Sequence, residues 1–260
     1  MSADLLWLVL AGVGAGLVGS MTGLASLISY PALLAAGLPP LVANVTNTVS
    51  LFGITVGSVA GSQRELAGQG ARLVRLIPVT AVGGAIGAAL LLSAPAGVFE
   101  LVVPWMVLLG AVLLLLRDRI RVWSARHSDP HSLQPDPHAR RRRGAWFVAL
   151  LAMGIYGGYF GAGAGVIALA LLSLERVEPL AVTNAVKNVA TGAANAAGSI
   201  GYVLLAPVDY RAAVAVMVGS VVGAFIGPAV VRVVPETPMR WAVGVCGIGL
   251  ALYLAAGALG

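Results

Sequence analysis

The chain has 260 residues, of which 59% are hydrophobic and 10% charged, with a formal net charge of +6. Soluble domains carry about 25% charged residues, so a chain this poor in charge, with a mean hydropathy of +0.94, cannot cover a water-facing surface. A cytosolic enzyme, a disulfide-stapled secreted module and a disordered tail are excluded, and an all-α polytopic membrane protein remains.

Eight apolar runs follow one another along the chain, at about 4–36, 42–61, 72–94, 97–116, 145–173, 181–206, 210–231 and 239–259. A helix needs about 20 apolar residues to cross a bilayer. Runs 4–36 and 145–173 are too long for one straight span and too short for two, and glycines interrupt both. Each is expected to break into two short helices, giving up to ten helical segments. No cleavable signal is expected, because the N-terminus has no basic region and its apolar run extends too far. Trp7, Trp146 and Trp241 fall near span ends, where indole rings anchor at the interface. Glu100 opens a span and reads as interfacial.

The polar stretch 117–144 divides the chain into a first repeat (1–116), a basic loop (117–144) and a second repeat (145–260). The stretch carries eight arginines, three aspartates and Pro130, Pro135 and Pro137, and it reads as an irregular loop. By the positive-inside rule it is cytoplasmic. Its run Arg140–Arg143 sets topology and touches anionic lipid rather than nucleic acid. His127, His131 and His138 lack metal-ligand spacing, and the lone Cys246 permits neither a disulfide nor a cysteine metal site. Neither metal nor cofactor is expected.

The two halves align. Gly16, Gly19 and Gly23 match Gly154, Gly157 and Gly161; Val42, Asn44, Val49 and Gly61 match Val182, Asn184, Val189 and Gly201; Gly83, Gly87 and Pro95 match Gly223, Gly227 and Pro235. One register held over so long a stretch predicts a duplicated unit. With five segments per half the repeats are inverted, which puts Arg176, Arg232 and Arg240 inside and only Arg211 outside. With four per half they are parallel and this distribution reverses. The charge count favours inversion, an arrangement used by transporters with broken helices.

Lys187 is the only lysine in the chain and lies inside an apolar run with no acid beside it. A charge in hydrocarbon costs about 2.5–3.5 kcal/mol on insertion scales. Lys187 therefore either snorkels to the interface or faces protein, water or an anion. Thr183 and Thr191 flank it at helical spacing, and Asn184 and Asn188 lie beside it. The matching first-half run holds Asn44, Asn47 and Thr48 on one helical face. These side chains serve either interhelical hydrogen bonds or a shared polar cavity, and amides at corresponding places in both halves favour the cavity. The glycine runs add a third element. Residues 157–165 are too rich in glycine for a continuous helix, and the first half offers Gly19 to Gly23 with Thr22, followed by Ser26, Ser29 and Pro31. A break at Gly161 and Gly163 would expose the N–H groups of a new half-helix, which favour anions. The alternative reading of the glycines is close helix packing.

Two glycine-rich segments, each followed by a polar Asn/Thr helix and separated by a basic loop, resemble the TauE/SafE sulfite exporter family. Ala43-Asn44-Val45-Thr46-Asn47-Thr48, followed by Gly61-Ser62-Gln63-Arg64-Glu65-Leu66, is similar to the first-repeat pattern. Asn184-Ala185-Val186-Lys187-Asn188 is similar to the second-repeat pattern. Only the second repeat keeps alternating glycines; the first reads Gly23-Leu24-Ala25-Ser26 up to Pro31. The resemblance implies a secondary transporter, usually an exporter, of sulfur-containing anions such as sulfite or organosulfonates.

The resulting expectation is a multi-pass cell-membrane transporter working by alternating access on a small anion, with the bilayer as its surroundings. Lys187 would supply charge, and Asn44, Asn47, Thr48, Thr22, Asn184, Asn188, Thr191 and the backbone at Gly161 and Gly163 would supply hydrogen bonds. A passive anion channel would use the same residues. A membrane scaffold recruiting a partner through the Arg-rich loop is the alternative of a different class. No nucleotide-binding loop, paired nucleophile and base, or paired intramembrane carboxylates point to an enzyme, and the sequence leaves the oligomeric state open.

Overall fold

A computed structural model describes residues 3–127, 139–176 and 178–230, together with scattered positions between 245 and 256. Among the described residues the chain is all helix, in eleven segments. They are α1 (Ala3–Thr22), α2 (Ser26–Ala35), α3 (Pro40–Ser50), α4 (Phe52–Gly61), α5 (Gln63–Leu66), α6 (Gly70–Ser93), α7 (Ala96–His127), α8 (Ala139–Tyr159), α9 (Ala164–Glu175), α10 (Leu180–Leu205) and α11 (Tyr210–Val230). Leu5–Thr22, Pro40–Gly61, Gly70–Ser93 and Tyr210–Gly227 are long and apolar enough to cross a membrane. Most of the eighth apolar run, with Trp241, lies outside the described residues.

Both glycine-interrupted runs break where expected. Gly23 (φ +80) separates α1 from α2, and Gly161 (φ +78) and Gly163 (φ +83) separate α8 from α9. A side chain is disfavoured at such angles, so these turns depend on glycine. The run 42–61 also divides, at Leu51, into α3 and α4, whereas its counterpart α10 is continuous.

The expectation of an irregular loop over 117–144 is corrected. Helix α7 runs on to His127 and α8 begins at Ala139. Arginine is a good helix former, and no proline intervenes before Pro130. At 32 residues and about 1.5 Å per residue, α7 is longer than a bilayer core is thick, so its arginine-bearing end extends past the apolar layer. Residues 128–138, with the three prolines, His131 and His138, lie outside the described residues.

The packing is crosswise. Helix α1 lies along α11, and α8 lies along α6. A Cβ on Gly16 would sit 2.3 Å from Ser220 O, and one on Gly87 would sit 2.0 Å from Ile155 O. Small residues let these backbones approach closely, which is how helices associate in lipid. An ion cluster centred on the buried Arg72 adds a further tie. The Arg72 guanidinium on α6 reaches Glu175 Oε2 at 2.8 Å and also Glu178 Oε1, while Thr183 Oγ1 donates to Glu178 Oε1 at 3.2 Å. Arg72 thus fixes the start of α6 to the end of α9 and to the α9–α10 connection.

Two substitutions separate these roles. Gly87→Ala forces a methyl against the α8 backbone and is expected to cost about 1–3 kcal/mol. Gly144→Ala, in α8 with no atom within 4 Å of the added Cβ, is expected to be neutral or to gain about 0.5–1 kcal/mol. Thermal unfolding in detergent checks both, and a Gly87→Ala midpoint at or above that of Gly144→Ala contradicts the packing.

Candidate functional site

The centre of the protein is built around helix ends. The last carbonyls of a helix have no intrahelical donors, and hydrocarbon offers none in their place. At the end of α1, Ser20 O accepts from Asn184 Nδ2 at 2.7 Å, Asn188 Nδ2 at 3.0 Å and Lys187 Nζ at 3.4 Å. Lys187 Nζ also donates to Gly19 O at 3.3 Å. Spacings of three and four residues place these side chains of α10 on one face. At the end of α8, Tyr159 O accepts from Asn44 Nδ2 of α3 at 2.9 Å, and Gly158 O accepts from the Tyr202 hydroxyl of α10.

Lys187 is completely buried. It does not snorkel; its ammonium rests on the carbonyl end of α1, where the helix dipole is negative. The Lys187 side chain therefore caps a helix end in the protein interior.

Beside this end lies a cavity of ≈ 50 Å³. The α1–α2 break contributes Gly19, Gly23, Ala25 and Ser26, and the α8–α9 break contributes Gly157, Gly161, Ala164 and Gly165. Leu51, Ile54 and Thr55 face it from the α3–α4 region, Asn188, Thr191, Gly192, Ala194 and Asn195 from α10, and Met153 from α8. Ser26 and Ala164 are the first residues of α2 and α9. The first residues of two helices thus face one space. Leu27, Ile28 and Ser29 already donate their N–H groups to Leu24 O and Ala25 O, and Ala164, Val166 and Ile167 to Gly161 O and Gly163 O. The N–H groups of Ser26 and Gly165 form no such bond among the described residues. The breaks touch directly, since a Cβ on Gly23 would lie 2.4 Å from Gly165 Cα.

Of the residues expected to form a site, Asn188, Thr191 and Gly161 line the cavity. Lys187 and Asn184 stand one layer behind, on the α1 carbonyls. Asn44 stands on α8, while its Oδ1, like that of Asn184, is buried and accepts no hydrogen bond among the described residues. Asn47 instead ties α3 to α2: its Oδ1 accepts from Ser29 Oγ at 2.5 Å and its Nδ2 donates to Ser26 Oγ at 3.2 Å. Thr48 and Thr22 return their hydroxyls to the carbonyls of Asn44 and Val18 on their own helices. Gly163 packs towards Gly110 of α7, away from the cavity. Thr183 turns to Glu178 rather than to Lys187.

Ser26, Thr55 and Asn195 complete the polar lining. Asn195 continues the stripe of Asn184, Asn188 and Thr191 along α10, and Thr55 continues that of Asn44 and Thr48. Extending each stripe by another turn would have found both. The lining also pairs off at positions that align between the halves: Gly19 with Gly157, Gly23 with Gly161, Leu51 with Thr191 and Thr55 with Asn195.

The Asn44 contact gives a test with a sign. Asn44→Ala removes a donor from a buried carbonyl and is expected to cost about 1–3 kcal/mol. At neutral pH Asn44→Asp turns a carboxylate towards that carbonyl and is expected to lower the unfolding midpoint further. An Asn44→Asp protein at least as stable as Asn44→Ala contradicts the contact.

Comparison with known proteins finds relatives that span most of the chain. The family described as sulfite exporter TauE/SafE matches residues 8–254. A protein of Haemophilus influenzae named probable membrane transporter protein is 25% identical over 234 residues, covering 88% of this chain and 86% of its own. The probable membrane transporter protein YfcA of Escherichia coli is 28% identical over 221 residues, covering 82% and 75%. ORF9 of a Sinorhizobium species, similarly named, is 28% identical over 163 residues, covering 62% and 58%. No solved structure matches the chain. With the match spanning nearly its whole length, the chain belongs to the TauE/SafE sulfite exporter family and is a membrane transporter.

Proposed function

We propose that this transporter is a multi-pass protein of the cell membrane that carries a small anion, sulfite or an organosulfonate, outward by alternating access. The anion would occupy the cavity between the two glycine breaks. The observation that carries this reading is the meeting of the α2 and α9 N-termini on one space. Helix N-termini present N–H groups and positive dipole ends to anions. A cavity of ≈ 50 Å³ exceeds the roughly 10–15 Å³ that one water requires. It therefore suits an ion of a few heavy atoms.

The side chains fit the same ligand. Amide and hydroxyl groups of Ser26, Thr55, Asn188 and Asn195 can donate to anion oxygens. Lys187 lies next to Asn188 in the chain and bonds to Gly19, itself a lining residue. Its charge acts through one layer of protein, where low dielectric keeps the attraction strong. In this reading it holds the α1 end in place and also sets the potential of the cavity.

The crosswise packing supports inverted repeats. Glycines that align between the halves pair each first helix with the third long helix of the other half: α1 with α11, α8 with α6. Rocking one repeat against the other would then expose the cavity to the two sides in turn.

The test is sulfite flux in proteoliposomes. Lys187→Met is expected to slow transport at least about tenfold, a barrier increase of about 1.4 kcal/mol. The protein still folds, because Asn184 and Asn188 continue to hold Ser20 O. Wild-type flux in a folded Lys187→Met protein overturns the assignment.

A further inference from the structure

A second, much larger cavity of ≈ 810 Å³ lies between the start of α6, the start of α8 and the end of α9. We propose that it holds the phosphate headgroup of an anionic phospholipid. Arg75, Arg143 and Arg176 line it from these three elements, all exposed and without an ion pair among the described residues. Arg72 also borders the cavity, but Glu175 and Glu178 already match its charge, and their contacts fix α6 to the end of α9. The cavity thus has three guanidinium groups, unpaired among the described residues, on braced walls. Guanidinium is the side chain best suited to phosphate oxygens.

The other walls are apolar. Leu76, Trp146, Phe147 and Leu171 line the same space, with Trp146 Nε1 anchored on Leu171 O at 2.7 Å. Beside it, Val74 and Val148 are 72% and 66% exposed on the outer surfaces of α6 and α8. Arg75 stands near the start of the apolar span Gly70–Ser93, where headgroups meet acyl chains. Cationic and apolar walls side by side match an amphiphile, and the volume far exceeds that of a bare oxyanion. These properties favour a lipid over free phosphate or the transported anion.

The purified full chain in neutral detergent is titrated with phosphatidylglycerol, phosphatidylcholine, inorganic phosphate or sulfite, and thermal unfolding is followed. Phosphatidylglycerol is expected to raise the midpoint saturably, and phosphatidylcholine to leave it unchanged. Phosphate and sulfite are expected not to compete with phosphatidylglycerol. Replacing Arg75, Arg143 and Arg176 by Gln should weaken phosphatidylglycerol binding by roughly fivefold per arginine. Arg211→Gln, remote from the cavity, should not. Equal shifts by both lipids, or competition by phosphate or sulfite, overturn the proposal, and neither readout needs a variant. Unchanged affinity in Arg75→Gln and in the triple variant also overturns it.

Discussion

A helix that ends inside a membrane leaves backbone groups that lipid cannot satisfy. This protein has four such ends near its centre: the carbonyl ends of α1 and α8 and the N–H ends of α2 and α9. The two kinds are treated differently. Side chains from the opposite half cover the carbonyl ends: Asn184, Lys187 and Asn188 on α1, Asn44 on α8. The N–H ends are covered mostly by carbonyls of their own turns, Leu24 and Ala25 before α2 and Gly161 and Gly163 before α9, and their first residues line the cavity. The proposed anion site rests on the donors that this capping leaves facing the cavity, the N–H groups of Ser26 and Gly165 and the polar side chains of the lining.

The glycines make this arrangement sterically attainable. Gly23 and Gly161 adopt backbone angles that turn the chain between half-helices. Other glycines bring α1 onto α11 and α8 onto α6, close enough that a single methyl would meet backbone. Each half therefore supports the broken helix of the other. A substitution at one crossing reaches the cavity through the helix it displaces, even where the altered residue does not line it.

Much of this was legible in the sequence, for identifiable reasons. Glycine density between Gly157 and Gly165 is incompatible with a continuous helix, and both breaks fell where that density predicted. A lone lysine amid apolar residues had to snorkel or face inward, and it is buried. Its partners were not legible, because carbonyl acceptors carry no side-chain signature and Gly19 and Ser20 are far away in sequence. The Arg72 pairings with Glu175 and Glu178 were hidden for the same reason. Helix α7 continued through its arginines because charge by itself does not end a helix. Asn47 carried the residue type expected of a site yet serves α2, since an amide satisfies a neighbouring serine as readily as a ligand.

The most direct measurement is the position of a bound anion. Selenite, a heavier analogue of sulfite, can be located by anomalous scattering in crystals of the purified protein. The proposed function predicts a peak between Ser26, the Gly161–Gly165 turn and Asn188. A peak confined to Arg75, Arg143 and Arg176, or none in the central cavity of a protein that transports selenite, would contradict it.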